Sequence, residues 1–315
     1  MDEYTREIHH AGPKFTDIAA FCAYIEQKIS QSITPQILTF TDISPAWVDD
    51  LLNSLQRKRI KLRFGYNEIT RVFQLRTMPT PIHNCDQRWY QSAALKWVIS
   101  GLITANEHNQ ITGEGNTLVR FTSGPDVGLH KMPNFMAAQL GTVMPTLAFE
   151  SGWSESFADL QDDMNRWLVG GAGEVQAVII TKWTEIGNTK EVTGSIELYT
   201  LARDGTPRLS QREEVFPIPA GTGPGAQRIR LTRRMLFGKG LSPGRNPRDV
   251  FGLDVDNLRV HARESLARSN KWWTIAKRCN AWRAQGDSGG QRDAEHDGNG
   301  PEPLEVKGDS VALYG

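Results

Sequence analysis

The sequence predicts an α/β fold, a mixed central sheet flanked by helices with elaborations at both ends. Three observations predict it. Short apolar runs bounded by Gly and Pro alternate with stretches whose apolar residues recur at helical spacing. In the middle of the chain these give the order helix, strand, strand, strand, helix, strand. With 315 residues, 39% of them hydrophobic, and nine Trp and twelve Phe among them, the chain can bury a sizeable core.

Each element has its own signal. In the lead-in, residues 1–80, Phe15, Ile18, Phe21, Cys22 and Ile25 fall at roughly helical spacing. Ser44 and Pro45 precede Trp47, Leu51, Leu52 and Leu55, which predicts a second helix with Ser44 as N-cap and Pro45 in its first turn. Residues 61–66 and 71–76 alternate on either side of Asn67-Glu68 and read as a hairpin. The core, residues 81–220, opens on a long helix over 88–105, followed by strands at 117–121, 135–138, 146–150, 175–181 and 193–201. Between the third and fourth of these, Phe157, Leu160, Met164, Trp167 and Leu168 form one face of a helix that Ser154 or Ser156 can cap. Residues 221–285 hold a basic stretch, read as a loop from its Gly, Ser and Pro content, and a helix over 254–267. Residues 286–315 are rich in Gly, Asp, Glu and Ser without apolar periodicity and read as a disordered tail.

Charge and cysteine content narrow the function classes. Lys plus Arg number 36 and Asp plus Glu 36, so the formal net charge is zero. That excludes a strongly basic nucleic-acid coat protein, though not an enzyme that meets nucleic acid through one local basic face. Cys22, Cys85 and Cys279 lie too far apart for a C-x-x-C pair or a disulfide framework, so an intracellular setting, cytoplasmic or nuclear, is expected. Nothing resembles a signal peptide, and no run approaches the roughly 18 apolar residues of a membrane span, so no membrane partner is expected. No phosphate-cradling Gly-rich loop follows a strand, and no G-x-S-x-G elbow is present.

The chemistry centres on Glu150. The run Thr146-Leu147-Ala148-Phe149-Glu150 is apolar enough for the centre of a sheet, and an acid closing such a strand is costly to bury unless it is paired. It is either solvated at the strand exit, salt-bridged to an Arg, or functional. The segment Glu150-Ser151-Gly152-Trp153-Ser154-Glu155-Ser156, with Leu160, Asp163, Trp167-Leu168 and Val175 after it, resembles a group of fungal proteins with a restriction-endonuclease-like core. They belong to the PD-(D/E)xK phosphodiesterase superfamily. In that group a Lys-x-Pro-Asp element opens the second strand and Glu-x-Gly-x-Ser-Glu-Ser closes the third; the likeness covers roughly residues 85–200.

The resemblance implies a metal site. Two acids on adjacent strands would hold Mg²⁺ against a scissile phosphate, and a nearby Lys would orient the attacking water. Glu150 matches the acid of the third strand. The first acid would close Lys131-Met132-Pro133, but Asn134 stands there and supplies an oxygen without a charge. Two residues beyond Glu150 stands Gly152, where a Lys would be usual, so Lys131 and Lys182 are the candidate catalytic lysines. Each is alternatively an ordinary surface Lys. Pro125-Asp126, beside Ser123-Gly124 and Gly128, reads as a turn. Glu155 and Asp163 read as solvent-facing helix acids. Arg228, Arg230, Arg233 and Arg234 could grip phosphates. The expectation is a nuclease-derived protein with a degraded Mg²⁺ site, a non-catalytic module that binds nucleic acid or protein. The alternative is a weak Mg²⁺-dependent phosphodiesterase that uses Glu150, with Asn134 as a neutral ligand.

Overall fold

The computed structural model describes residues 6–10, 15–31, 37–58, 60, 63–76, 81–115, 117–153, 155–187 and 191–268, which form two six-stranded mixed sheets, a two-stranded ribbon and helices packed against them. The chain is α/β, as its patterning predicts. The expected tail at 286–315, and Cys279, lie outside the described residues.

The N-terminal elements are β1 (Arg6–His10), α1 (Ile18–Gln31), β2 (Ile37–Thr41), α2 (Pro45–Arg57), β3 (Arg63–Asn67) and β4 (Val72–Arg76). Ser44 caps α2, its side-chain oxygen accepting from the Trp47 N–H at 3.4 Å, with Pro45 in the first turn. β3 and β4 form the expected hairpin, in register from Arg63–Arg76 to Asn67–Val72. Asn67 closes its turn by accepting from the N–H groups of Ile69 and Thr70 at 2.9 and 2.8 Å. Phe21, Ile25, Leu51 and Leu55 of the helices cover Phe40, Phe64, Phe73 and Leu75 on one face of this sheet.

The sheet does not stop at residue 80. Its strand order is β1-β2-β4-β3-β7-β6, where β6 (Val119–Arg120) and β7 (Leu129–Lys131) come from the middle of the chain. The stretch expected as the first core strand, 117–121, therefore belongs to this sheet. The outer position in the second sheet is taken by β5 (Ile111–Glu114). Its sequence, Ile-Thr-Gly-Glu, is that of a short edge strand without an apolar run, which is why periodicity passes over it.

Before it, α3 (Cys85–Ile99) ends sooner than the expected helix over 88–105. Gly101 turns the backbone at φ 73°, and Thr104 opens a separate helix, α4 (Ala105–Asn109). Thr104 and Glu107 form a capping box, a Thr-x-x-Glu signal inside the stretch read as one helix.

The second sheet runs β12-β11-β10-β9-β8-β5. Its members are β8 (Phe135–Gln139), β9 (Leu147–Gly152), β10 (Ala177–Glu185), β11 (Val192–Leu201) and β12 (Pro207–Phe216). β9 and β10 are parallel, joined by α5 (Phe157–Leu168), and the other pairs are antiparallel. Ser156 caps α5 and accepts from the Asp159 N–H at 3.1 Å. Leu160, Met164, Trp167 and Leu168 pack on the sheet face that carries Met136, Ala148, Val178 and Ile180. Phe135, Phe149, Ile179 and Trp183 point the other way, towards Trp89 and Tyr90 of α3. Alternation along each strand separates the two faces.

The basic stretch is not a loop throughout. Its first part forms β13 (Arg228–Thr232), paired with β14 (Val250–Asp254), and α6 (Arg233–Phe237). Ile229, Leu231, Phe251 and Leu253 are buried, and the helix at 255–268 buries Leu258 and Ala262. The α3 indoles fix this layer, Trp89 donating to the Asp254 carbonyl at 2.6 Å and Trp97 to that of Gly252 at 3.2 Å. Among the described residues, no helix is long and apolar enough to cross a membrane.

Candidate functional site

β9 is buried along its whole length, and its alternation turns Glu150 towards α5 and Ser151 towards α3. Glu150 is fully buried, and both of its oxygens are engaged. Oε1 accepts from the Trp167 indole N–H at 2.6 Å and lies 3.2 Å from the Lys131 ammonium. Oε2 accepts from the Arg63 guanidinium at 3.0 Å. Arg63 comes from β3 and Lys131 from the end of β7, so two cations of the first sheet close on one acid of the second.

The network continues outward. Lys131 reaches Asp163 at 2.7 Å, and Arg76 donates to the same carboxylate at 2.7 Å and to Glu155 at 3.0 Å. Arg166 adds a fourth cation, 3.3 Å from Asp163. Asp163 and Glu155 are therefore not the solvent-facing helix acids that their positions suggest, since both are buried, Asp163 to 1% exposure. Burial works to raise the Asp163 carboxyl pKa, but Lys131 and then Arg76 overcome it and hold the group well below the usual carboxylate range.

Asn134 lies one rung beyond the Phe135–Phe149 pair, its N–H donating to the Phe149 carbonyl at 3.1 Å. Its side-chain oxygen accepts from the Ser151 N–H at 2.7 Å and so takes the place of a ladder carbonyl, while Nδ2 has no partner. Lys182 stands opposite Gly152 in the β9–β10 register and donates to the carbonyls of Trp153 and Trp183, each at 3.0 Å. Burial lowers its pKa, with Glu155 acting in the opposite direction. Of the two candidate lysines, it is Lys131 that reaches Glu150. Among the arginines, Arg228 and Arg230 are exposed on β13 and Arg234 is exposed on α6. Arg233 is buried, bound to Glu107 at 2.7 Å, Asp249 at 3.0 Å and the Leu102 carbonyl at 2.7 Å, with Phe251 against its guanidinium. It has no surface to offer a phosphate.

Asp86 is the buried acid that sequence reasoning passes over. It lies at the start of α3, fully buried, and accepts from the Thr181 hydroxyl at 3.1 Å and from Ser151, while its Oδ2 has no partner. Burial pushes its carboxyl up to about 7 against the pull of these hydrogen bonds and of Arg63. A signal was there. Asp86, Trp89, Tyr90 and Ala93 share one stripe at helical spacing, and that stripe is the buried one. For Arg63 no such signal exists, because alternation places it on the polar face of a hairpin without saying what that face meets.

Among the described residues, no group of three or more His, Cys, Asp or Glu side chains is placed to hold a metal ion. No protein-family model matches the chain, and no curated protein matches it.

Proposed function

We propose that this chain is a non-catalytic binding module on a restriction-endonuclease-like core. The order α3, β5, β8, β9, α5, β10, with antiparallel β5, β8 and β9 and a parallel β10 reached through α5, supports that description of the core. The observation that carries the functional reading is the engagement of Glu150 by Arg63, Lys131 and Trp167.

The residues present do not fit Mg²⁺. A divalent cation at Glu150 would displace two cations that already neutralise it, from a site where they are poorly screened. Asn134, the neutral ligand that the resemblance implies, has its carbonyl oxygen occupied by Ser151. Mg²⁺ also needs near-octahedral oxygen ligation, and the neighbours of Glu150 are donors. Its role in this reading is to tie two sheets together. The partner class that the exposed arginines would serve is nucleic acid, through Arg228 and Arg230 on the outer face of the ribbon and Arg234 beside it.

A plasmid-nicking assay with Mg²⁺ or Mn²⁺, beside calorimetric metal titration, tests this. The expected result is no nicking and no metal binding by the wild type. Asn134→Asp is expected to bind no metal either, because Arg63 and Lys131 stay on Glu150 and the Ser151 N–H still occupies the side-chain oxygen at 134. Metal-dependent nicking by the wild type would overturn the proposal.

A further inference from the structure

A cavity of about 320 Å³ opens over the face of the first sheet that α1 and α2 leave uncovered. Strand pairing sets its floor. Gly65 has Gln74 opposite it on β4 and Lys131 opposite it on β7, and two rungs along, on the same face, Arg63 faces Arg76. Arg166 of α5 stands in the wall.

Two arginines directly opposite each other across strands repel. Here Arg63, Arg76, Lys131 and Arg166 meet the carboxylates of Glu150, Glu155 and Asp163, which is four cations against three anions. All four cations line the cavity. Asp126, the one acid in the lining, has its carboxylate against the backbone of Gly170. Arg63 is only 4% exposed, yet its Nε–H has no acceptor. Its Nη2 already donates to Glu150 and to the Met132 carbonyl, so the Nε–H is the buried donor left for an oxyanion.

Gly65 keeps the space open. A Cβ there would meet only the His130 carbonyl, at an ordinary 3.6 Å, so packing does not demand glycine. Glycine inside a strand weakens it and marks places where a ligand approaches the backbone. The volume falls in the range of small-molecule sites and suits a nucleotide-sized guest.

We propose that the cavity over Gly65 binds the phosphoryl group of a small phosphorylated molecule of nucleoside-monophosphate size, held by Arg63, Arg76, Lys131 and Arg166. A tetrahedral dianion can engage cations from several strands at once, which a planar carboxylate does less well. The site lies on the first sheet, and the proposal does not depend on whether the core cleaves phosphodiesters.

Isothermal titration of the full chain with inorganic phosphate, adenosine 5′-monophosphate and succinate is the test. Both phosphorylated probes are expected to bind, the nucleotide more tightly, and succinate to bind more weakly than either. Gly65→Ile fills the cavity with a residue that strands favour and is expected to abolish binding at an unchanged thermal midpoint. Arg166→Ala, on the half-exposed rim, is expected to weaken binding about tenfold, and Arg208→Ala, on the exposed face of β12, to leave it unchanged. No heat from either phosphorylated probe at about 10 mM, equal affinity in Arg166→Ala, or succinate binding as tightly as phosphate would each overturn the assignment. So would binding of a 5′-phosphorylated oligonucleotide with none of the mononucleotide.

Discussion

At Glu150 a buried carboxylate balances two cations that water does not reach, so removing its charge leaves Arg63 and Lys131 facing each other. Breaking a buried pair from one side costs roughly 3–5 kcal/mol. Glu150→Gln is expected to lower the unfolding free energy by that amount in a urea titration, and a loss under about 1 kcal/mol would show that the network holds little of the fold together. Asp86 acts with the opposite sign. Its folded carboxyl sits near 7 against an ordinary 3.8, so between those values the native state holds a proton that the unfolded chain releases. Stability from this group is complete below about pH 4 and is lost as pH rises through about 7. Asp86→Asn is expected to flatten that slope and to make the protein more stable than wild type at about pH 8, read from urea midpoints at two pH values. The positions of Glu150 and Lys131 were legible, because a strand-closing acid and a Lys-x-Pro element stand out locally. Their engagement by Arg63 was not, since it joins residues 87 positions apart.

Among the elements, α5 carries the strongest local signal and the heaviest packing. Its Ser156 cap, its Leu160–Met164–Trp167 face and its Gly-rich exit all follow from spacing and turn chemistry. Trp167→Ala removes a fully buried indole together with the donor to Glu150 and is expected to cost about 3–5 kcal/mol, measured by denaturant unfolding. Ser156→Ala should cost about 1 kcal/mol in the same measurement. The elements that sequence missed share one property, in that they are completed by something distant. β5 is polar because it is an edge, and β13 looks like a loop because its exposed positions are arginines. Yet Ile229 and Leu231 alternate between Arg228, Arg230 and Thr232 as a half-buried strand requires.

For the molecule as a whole, the burial of Arg233 leaves three of the four arginines that the sequence offers to a nucleic-acid backbone, Arg228, Arg230 and Arg234, at the surface. Duplex DNA held through three contacts should show log K falling with log salt at a slope no steeper than about −3, measurable by fluorescence anisotropy. A steeper slope would point to another basic surface. The strand order β1-β2-β4-β3-β7-β6 also bears on where this chain can be divided. A fragment beginning at residue 81 would keep β6 and β7 but lose β3, and β7 would present bare amides and carbonyls along a newly made margin. The same cut would take away Arg63 and Arg76 and leave Glu150, Glu155 and Asp163 crowded around Lys131 and Arg166. Such a piece combines an open strand edge with buried repulsion, the conditions for self-association. A boundary that looks natural in the linear sequence is thus a poor place to separate the core for expression.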